Sequence, residues 1–122
     1  MSKKVLLVDD SESMRKIAGK AISDAGYDVV TAEDGKVGLV KMQQEKYDAI
    51  ISDVNMPNMN GLEMVKAGKD HITNKYTPVI MLTTESSDEM RQKGKEAGAK
   101  VWMVKPFNPE QLLGVLRQLI GE

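Results

Sequence analysis

Polar residues that could carry out metal or phosphoryl chemistry follow four short apolar runs. The runs are residues 5–8, 49–51, 79–82 and 101–104, and the polar residues near their ends are Asp9-Asp10, Asp53, Thr83-Thr84 and Lys105-Pro106. The acids offer only oxygen ligands, with no His or Cys beside them, and oxygen ligands suit a hard cation such as Mg²⁺. A carboxylate beside Mg²⁺ and a lysine can attack phosphorus, because the cations screen the charge of the incoming phosphoryl group.

If these residues meet at one place, their charges must be balanced. Two carboxylates about 4 Å apart repel by about 4 kcal/mol at an effective dielectric constant near 20. Lys105 and a bound cation would offset that repulsion. Asp53 is the best-placed nucleophile, and the hydroxyl of Thr83 could donate a hydrogen bond to a phosphoryl oxygen once one is present. The residues therefore predict a phosphoryl-accepting acidic site.

The surrounding sequence predicts the elements that would position this site. The four apolar runs, with a weaker fifth at 29–30, are typical of strands buried on both faces, and helical patterns fill the gaps between them. Alternating strands and helices predict an α/β fold, a doubly wound five-stranded parallel sheet with helices on both faces. Such sheets bind ligands at the carboxyl ends of their strands, where all four polar segments would lie.

The first and last helices carry the clearest signals. An apolar stripe from Met14 to Ala25 is followed by Gly26, which suits a left-handed C-terminal cap. At the other end, Asn108, Pro109 and Gln111 are typical of the N-cap, first and third positions of a helix. The stretches 35–45, 61–70 and 87–97 are weaker helical patterns, since each contains a glycine that costs about 1 kcal/mol relative to alanine.

Composition limits the classes of function. The 122 residues fit one domain, and 17 Lys and Arg against 18 Asp and Glu give a net charge of −1, which does not favour nucleic acid or an anionic membrane as a partner. There is no cysteine, and no apolar run approaches the roughly 20 residues of a spanning helix. The N-terminal apolar run is too short for a signal peptide, so we expect a cytoplasmic protein.

Each candidate residue also has an ordinary structural interpretation. Asp9 and Asp10 could be an N-cap and a first-turn acid, Asp53 a loop acid, Thr83 a strand residue and Lys105 a solvated lysine. Their coincidence at one predicted sheet edge is what favours a functional site.

Several of these segments match the motifs of one family in order and spacing. They are the acids after residues 5–8, the segment 53–61, Thr83 and residues 105–107. On them the chain resembles bacterial response-regulator receiver domains over its whole length, and the chemotaxis type most of all. The resemblance implies a flavodoxin-like fold with strand order 2-1-3-4-5.

The same resemblance implies roles for the acids. Asp53 would be phosphorylated, and Asp10 and Asp53 would bind Mg²⁺ together with the backbone carbonyl of Asn55. Asp9 would act on the metal through water.

Further roles follow from the resemblance for residues on the last two strands. Lys105 would contact the phosphoryl group, and Thr83 would close on that group. The Lys105–Pro106 bond would be cis. Glu85, with Asn55, would tune hydrolysis of the acyl phosphate. Trp102 occupies the position of the family's aromatic switch residue, where many relatives carry tyrosine or phenylalanine. A buried indole needs a partner for its N–H group.

The resemblance also implies partners. A histidine kinase would donate the phosphoryl group, a phosphatase could remove it, and a flagellar-motor switch protein or another effector would bind the phosphorylated monomer. The binding surface would comprise the helical stretch 87–97, the strand 101–104 and the last helix. No output domain follows the last helix in the sequence, so we expect the output to be a separate protein. We expect no enzymatic activity beyond the chain's own phosphorylation and dephosphorylation.

Three alternatives stay open. A metal-dependent phosphatase with an aspartyl nucleophile needs a second acid two residues on, where this chain has Asn55. A flavodoxin-like cofactor binder needs an anion cradle, and Asp9-Asp10 would repel the phosphate. A receiver outside flagellar control could serve as a phosphate sink or regulate another partner.

Overall fold

A computed structural model describes residues 2–121 as five strands alternating with five α-helices. The strands are β1 (Lys4–Val8), β2 (Asp28–Ala32), β3 (Ala49–Ser52), β4 (Val79–Thr83) and β5 (Val101–Val104). The helices are α1 (Glu12–Asp24), α2 (Gly35–Gln44), α3 (Gly61–Lys69), α4 (Asp88–Ala97) and α5 (Pro109–Ile120). A short 3₁₀ turn, Ile72–Asn74, precedes β4.

The strands form one parallel sheet in the order β2-β1-β3-β4-β5. Val8 pairs with Ser52, which places the ends of β1 and β3 side by side. The predicted α/β class and strand order are therefore confirmed. Because every strand runs the same way, the polar segments that follow them meet at the carboxyl edge of the sheet.

Helices cover both faces of the sheet and bury two apolar clusters. On one face, Ala18 and Ile22 of α1 and Leu112 and Leu116 of α5 are fully buried. On the other face, Met42 of α2 and Met64 of α3 are among the buried residues, and the partly buried Met90 and Ala97 of α4 pack against them. This packing fixes the strand ends on which the site depends.

Strand burial differs in part from the prediction. β1 and β3 are buried along almost their whole length, and all five residues of β4 are buried. All four residues of β5 are instead half-buried, and β2 exposes Asp28 and Thr31. The reason is their position, since both strands lie at the edges of the sheet. The expectation of burial on both faces is therefore wrong for β2 and β5.

The helix ends follow the local sequence signals. Asn108 accepts hydrogen bonds from the backbone of Glu110 and Gln111 at the start of α5, with Pro109 in the first turn. Gly26 adopts a φ of 102°, the left-handed conformation predicted after α1. α1 begins at Glu12, two residues before the first residue of the apolar stripe, because the Ser11 side chain caps it.

No helix in residues 2–121 is long and apolar enough to cross a membrane.

Candidate acidic site at the carboxyl edge of the sheet

An ion-paired triad lies where β1, β3 and β5 end. The Lys105 ammonium donates to Oδ2 of Asp9 at 2.8 Å and to Oδ2 of Asp53 at 2.9 Å. All three side chains are largely buried, at 14%, 3% and 11% exposure respectively, so both bonds are shielded from water. Charge-assisted bonds of this length are about twice as strong as neutral ones.

The environment of Lys105 keeps it charged. Burial alone would lower the pKa of its ammonium, but the hydrogen bonds to Asp9 and Asp53 outweigh burial and raise that pKa above the ordinary value. Lys105 is therefore a fixed positive charge between two carboxylates at neutral pH.

Asp10 adds a third carboxylate to this cluster. Ligand oxygens of Asp9, Asp10 and Asp53 all lie within 4.8 Å of one another, and Asp10 is exposed. Three carboxylates and one ammonium leave a net charge of −2 (−3 + 1), which one divalent cation would neutralise. An all-oxygen cluster open to solvent on one side fits Mg²⁺, which keeps several waters.

The backbone after β3 holds Asp53 in place. Oδ1 of Asp53 accepts hydrogen bonds from the backbone N–H of Val54 at 2.6 Å and of Asn55 at 3.4 Å. Gly61 lies so close to the Asp53 carbonyl that a Cβ atom at this position would collide with it. Oδ2 bonds Lys105 on the other side, so the carboxylate has one defined orientation.

The predicted metal ligand Asn55 is in the same loop, and its side chain connects the site to the next loop. Its side-chain amide donates to Oε2 of Glu85 at 2.8 Å. The backbone N–H of Glu85 donates to the hydroxyl oxygen of Thr83 at 3.3 Å, and the Glu85 carbonyl accepts from the indole Nε1 of Trp102 at 2.8 Å. These bonds form a continuous path from the Asp53 loop to β5.

Thr83 is fully buried at the end of β4, one strand away from Asp53. Within residues 2–121, no hydrogen bond joins Thr83 to Asp53; its hydroxyl oxygen accepts a bond from the loop after β4 instead. The structure therefore places Thr83 near the predicted site, and its closing on a phosphoryl group stays a prediction.

Trp102 lies half-buried against α4. Its indole packs over Gly94, where an added Cβ atom would be 2.5 Å from the ring carbon Cζ3. The indole N–H has the hydrogen-bond partner that the sequence required, the carbonyl of Glu85. Packing against Trp102 therefore explains why a glycine occupies position 94 despite its weak helix propensity.

The structure adds two contacts that the sequence analysis did not identify. The Arg15 guanidinium donates to the backbone carbonyl of Asp9 at 2.7 Å, and the backbone N–H of Ser11 donates to Oδ1 of Asp9 at 2.9 Å. Both residues belong to the start of α1, and the N-cap signal of Ser11 could have pointed to this turn. The Lys105–Pro106 bond is cis, as the resemblance implied.

A second loop contact fixes the segment after Asn55. Asn58, with a φ of 69°, donates through its side chain to Oδ2 of Asp34 at 2.8 Å. The backbone N–H of Gly35 donates to the Met59 carbonyl at 3.2 Å. The loop that follows Asp53 is thereby tied to the first turn of α2.

Comparison with known proteins places this geometry among characterised domains. The family model described as the response regulator receiver domain matches residues 5–117. The crystal structure of chemotaxis protein CheY4 of Vibrio cholerae superimposes with a TM-score of 0.93 at 52% identity and covers 98% of this chain and 99% of that one.

Other relatives differ in length. Chemotaxis protein CheY1 of Helicobacter pylori is 38% identical over 120 residues, which are 97% of each chain. The chain spans about half the length of two further curated relatives, a transcriptional regulatory protein and a response regulator, at 38% and 34% identity.

The receiver domain of sensor histidine kinase PA1611 from Pseudomonas aeruginosa shares the fold. Its TM-score is 0.92 at 24% identity, with full coverage of both chains. That domain holds a magnesium ion in its active-site cleft.

Proposed function

Because this chain belongs to the response regulator receiver domain family, we propose that it accepts a phosphoryl group on Asp53 and changes its binding to a partner protein in response. The observation that carries the proposal is the charge balance of the acidic site. Two of the three clustered carboxylates, those of Asp9 and Asp53, bond Lys105. Asp53 is held on Oδ2 by that lysine and on Oδ1 by the backbone N–H groups of Val54 and Asn55.

The proposed step is a transfer from a histidine kinase of the CheA type. A carboxylate oxygen of Asp53 attacks phosphorus, the O–P bond forms, and the bond from phosphorus to the donor's histidine nitrogen breaks. The electron pair of that bond returns to the imidazole, which takes a proton from solvent. Lys105 lies within hydrogen-bond distance of Asp53 and would screen the added charge on the phosphoryl oxygens.

Mg²⁺ is the proposed cofactor. Asp10, Asp53 and the carbonyl of Asn55 would hold it, with Asp9 acting through water, and the donor set of the acidic cluster supports that assignment. When bound, Mg²⁺ supplies positive charge beside the transferring phosphoryl group. A neighbour with the same fold binds magnesium in its cleft, which supports the same choice of metal here.

The path through Asn55, Glu85 and Trp102 supports a route for the output. A phosphoryl group on Asp53 would offer an acceptor to the O–H group of Thr83, and movement of the side chain toward it would break the bond that the Thr83 oxygen now accepts from the Glu85 N–H group. Movement of that loop would change the Trp102 contact, and with it the surface of α4, β5 and α5. We propose this surface as the one that a partner reads, with a phosphatase or the hydrolysis tuned by Asn55 and Glu85 ending the signal.

Control of the flagellar motor in chemotaxis is the proposed biological setting. It is supported by chemotaxis proteins that match this chain over nearly their whole length, at 52% and 38% identity. A transcriptional regulatory protein of about twice this length is also 38% identical, which favours a non-flagellar output as the second candidate. We propose no further enzymatic activity.

Intact-protein mass after incubation with acetyl phosphate tests the switch chemistry. We expect one Mg²⁺-dependent phosphoryl adduct on the wild type and none on D53N, whose side chain is nearly isosteric. The control is D28N, because Asp28 is an exposed acid at the opposite edge of the sheet. An adduct that survives in D53N, or that forms equally in EDTA, would contradict the assignment.

Binding to a flagellar-motor switch protein tests the output. Affinity should rise when beryllofluoride, a phosphoryl mimic, is added with Mg²⁺ to the wild type. D53N should show no such rise. Equal affinity of the wild type in both conditions would refute the flagellar assignment while leaving the phosphorylation chemistry intact.

A further inference from the structure

The loop before β4 presents a surface at the amino edge of the sheet, opposite the carboxyl edge that carries the acidic site. It comprises residues 71–77, which contain the 3₁₀ turn, and we call it the 71–77 loop. β4 separates it from the site, and five strand residues span about 15 Å. Its chemistry is therefore spatially independent of Asp53.

Two large apolar side chains of this loop are almost entirely in solvent. Ile72 is 84% exposed and Tyr76 is 85% exposed, well above Ile17 at 57% and Val40 at 50%, the other large exposed hydrophobic side chains of residues 2–121. Their exposure costs free energy that burial against a partner would recover.

The loop that carries them is nevertheless held firmly. Asn74 is fully buried, and its amide donates to the carbonyls of Met42 and Glu45 while its oxygen accepts from the N–H of Tyr47. The buried hydroxyl of Thr77 lies 2.9 Å from the same Asn74 oxygen. A loop fixed by buried polar bonds is preorganised, so its backbone loses little further conformational entropy when a partner binds Ile72 and Tyr76.

Three lysines give the surface a positive charge. Lys69, Lys75 and Lys100 line a cleft of about 420 Å³ together with Tyr76, and none of the three pairs with a carboxylate in the described chain. The Lys69 ammonium donates to the carbonyls of Lys75 and Thr77. Lys75 lies 5.7 Å from the centre of the Tyr76 ring. Unpaired cations beside exposed apolar groups complement a ligand that is both acidic and apolar.

From these observations we infer that the 71–77 loop and the lysine-lined cleft beside it form a docking surface for a segment of another protein that carries acidic and apolar side chains. The apolar groups of the segment cover Ile72 and Tyr76, and its carboxylates pair with Lys75 and Lys100. The aliphatic Ile72 offers no face for base stacking, and the net charge of the chain is −1, so a protein segment fits better than nucleic acid. Docking here does not depend on phosphorylation, because the acidic site lies at the other edge.

A phage-displayed library of random short peptides, selected on the full chain, tests this inference. We expect the selected peptides to combine Asp or Glu with apolar residues. Their affinity, measured with synthetic copies, should fall by at least about tenfold in I72S/Y76S and in K75E/K100E. D53N should bind the same peptides as tightly as the wild type does.

The matched control is I17S/V40S, which removes the two other exposed apolar side chains and should leave peptide affinity unchanged. Circular dichroism should show all variants folded, since the substituted side chains are exposed. Selected peptides without acidic residues, equal binding to the loop variants, or no enrichment over a blank matrix would each overturn the inference. So would binding of a single-stranded oligonucleotide or of phosphatidylglycerol vesicles through the same lysines without any peptide binding.

Discussion

Replacing Asp10 with asparagine should stabilise the metal-free protein, because the substitution removes one of three mutually repelling carboxylates. The Asp10 oxygen lies within 4.8 Å of an oxygen of Asp9 and of Asp53. At 4.8 Å, each repulsion is about 3.5 kcal/mol at a dielectric constant near 20 and about 0.9 kcal/mol in water. Asp10 is exposed, so the aqueous limit applies more closely, and Lys105 offsets part of the repulsion. We expect D10N to gain about 1–2 kcal/mol in EDTA.

With Mg²⁺ bound, the wild type should instead be more stable than D10N. A ligand at about 100 times its dissociation constant stabilises the folded state by about 2.7 kcal/mol, and only the wild type retains the full set of carboxylates. Urea unfolding of the wild type, D10N and the control D28N, each in EDTA and in saturating Mg²⁺, measures both effects. D28N should respond to Mg²⁺ as the wild type does. If D10N were less stable in EDTA, or if Mg²⁺ stabilised it as much as the wild type, the electrostatic reasoning would be refuted.

Two further predictions concern the surroundings of the site. In G94A the new methyl group would lie 2.5 Å from a carbon of the Trp102 ring, so the indole emission should shift. The substitution should also destabilise the protein, because overpacking costs about 1–3 kcal/mol and the higher helix propensity of alanine returns only about 1 kcal/mol. The same substitution in a W102F background should instead be neutral or stabilising, and unchanged emission and stability in G94A would contradict this. The hydrogen bond from the Val37 backbone, and to a smaller extent that from the Asn58 side chain, lowers the pKa of Asp34 in the folded protein below its ordinary 3.8. The ionised Asp34 therefore stabilises the fold above pH 3.8, and this stabilisation is lost as the pH falls through the lowered pKa of the folded state. The stability advantage of wild type over D34N in urea should therefore shrink as pH falls from about 6 to about 3, and a constant difference would show that the charge of Asp34 contributes nothing.

The general architecture could be predicted from the sequence because the buried strands are short continuous apolar runs. β1, β3 and β4 coincide with those runs to within one residue at each end. β2 had only two clear apolar residues, Val29 and Val30, and its full length depends on pairing with β1, which local sequence does not encode. The burial of β5 was misjudged because edge and central strands can share one apolar pattern.

The acidic site was predictable for a topological reason. Parallel strands deliver the residues after them to one edge, so Asp9, Asp53 and Lys105 could be placed at that edge once the sheet was assigned. The Lys105 side chain then reaches both carboxylates. Side-chain direction was less predictable. The hydrogen-bond partner of the Thr83 hydroxyl depends on the rotamer of Thr83 and on the backbone conformation of Glu85. The contact of Arg15 with the Asp9 carbonyl depends on how α1 packs against the sheet.

The helical glycines show a second limit of sequence reasoning. Gly94 weakens the helical pattern of α4, and its reason appears only when Trp102 from β5 packs against it. A propensity scale cannot register a contact between residues that the fold alone brings together.

The two described ends of the chain lie at the same edge of the sheet. β1 begins at the amino edge, and α5 returns to it, where the Tyr27 hydroxyl donates to the Gly121 carbonyl at 2.7 Å. A module fused through either end would therefore emerge on the side away from Asp53 and leave the phosphorylation site open to a kinase. A module fused after α5 would also lie beside the 71–77 loop, because Leu119 of α5 lines the same cleft as Lys75 and Lys100, so the module and a docking partner would compete for that space.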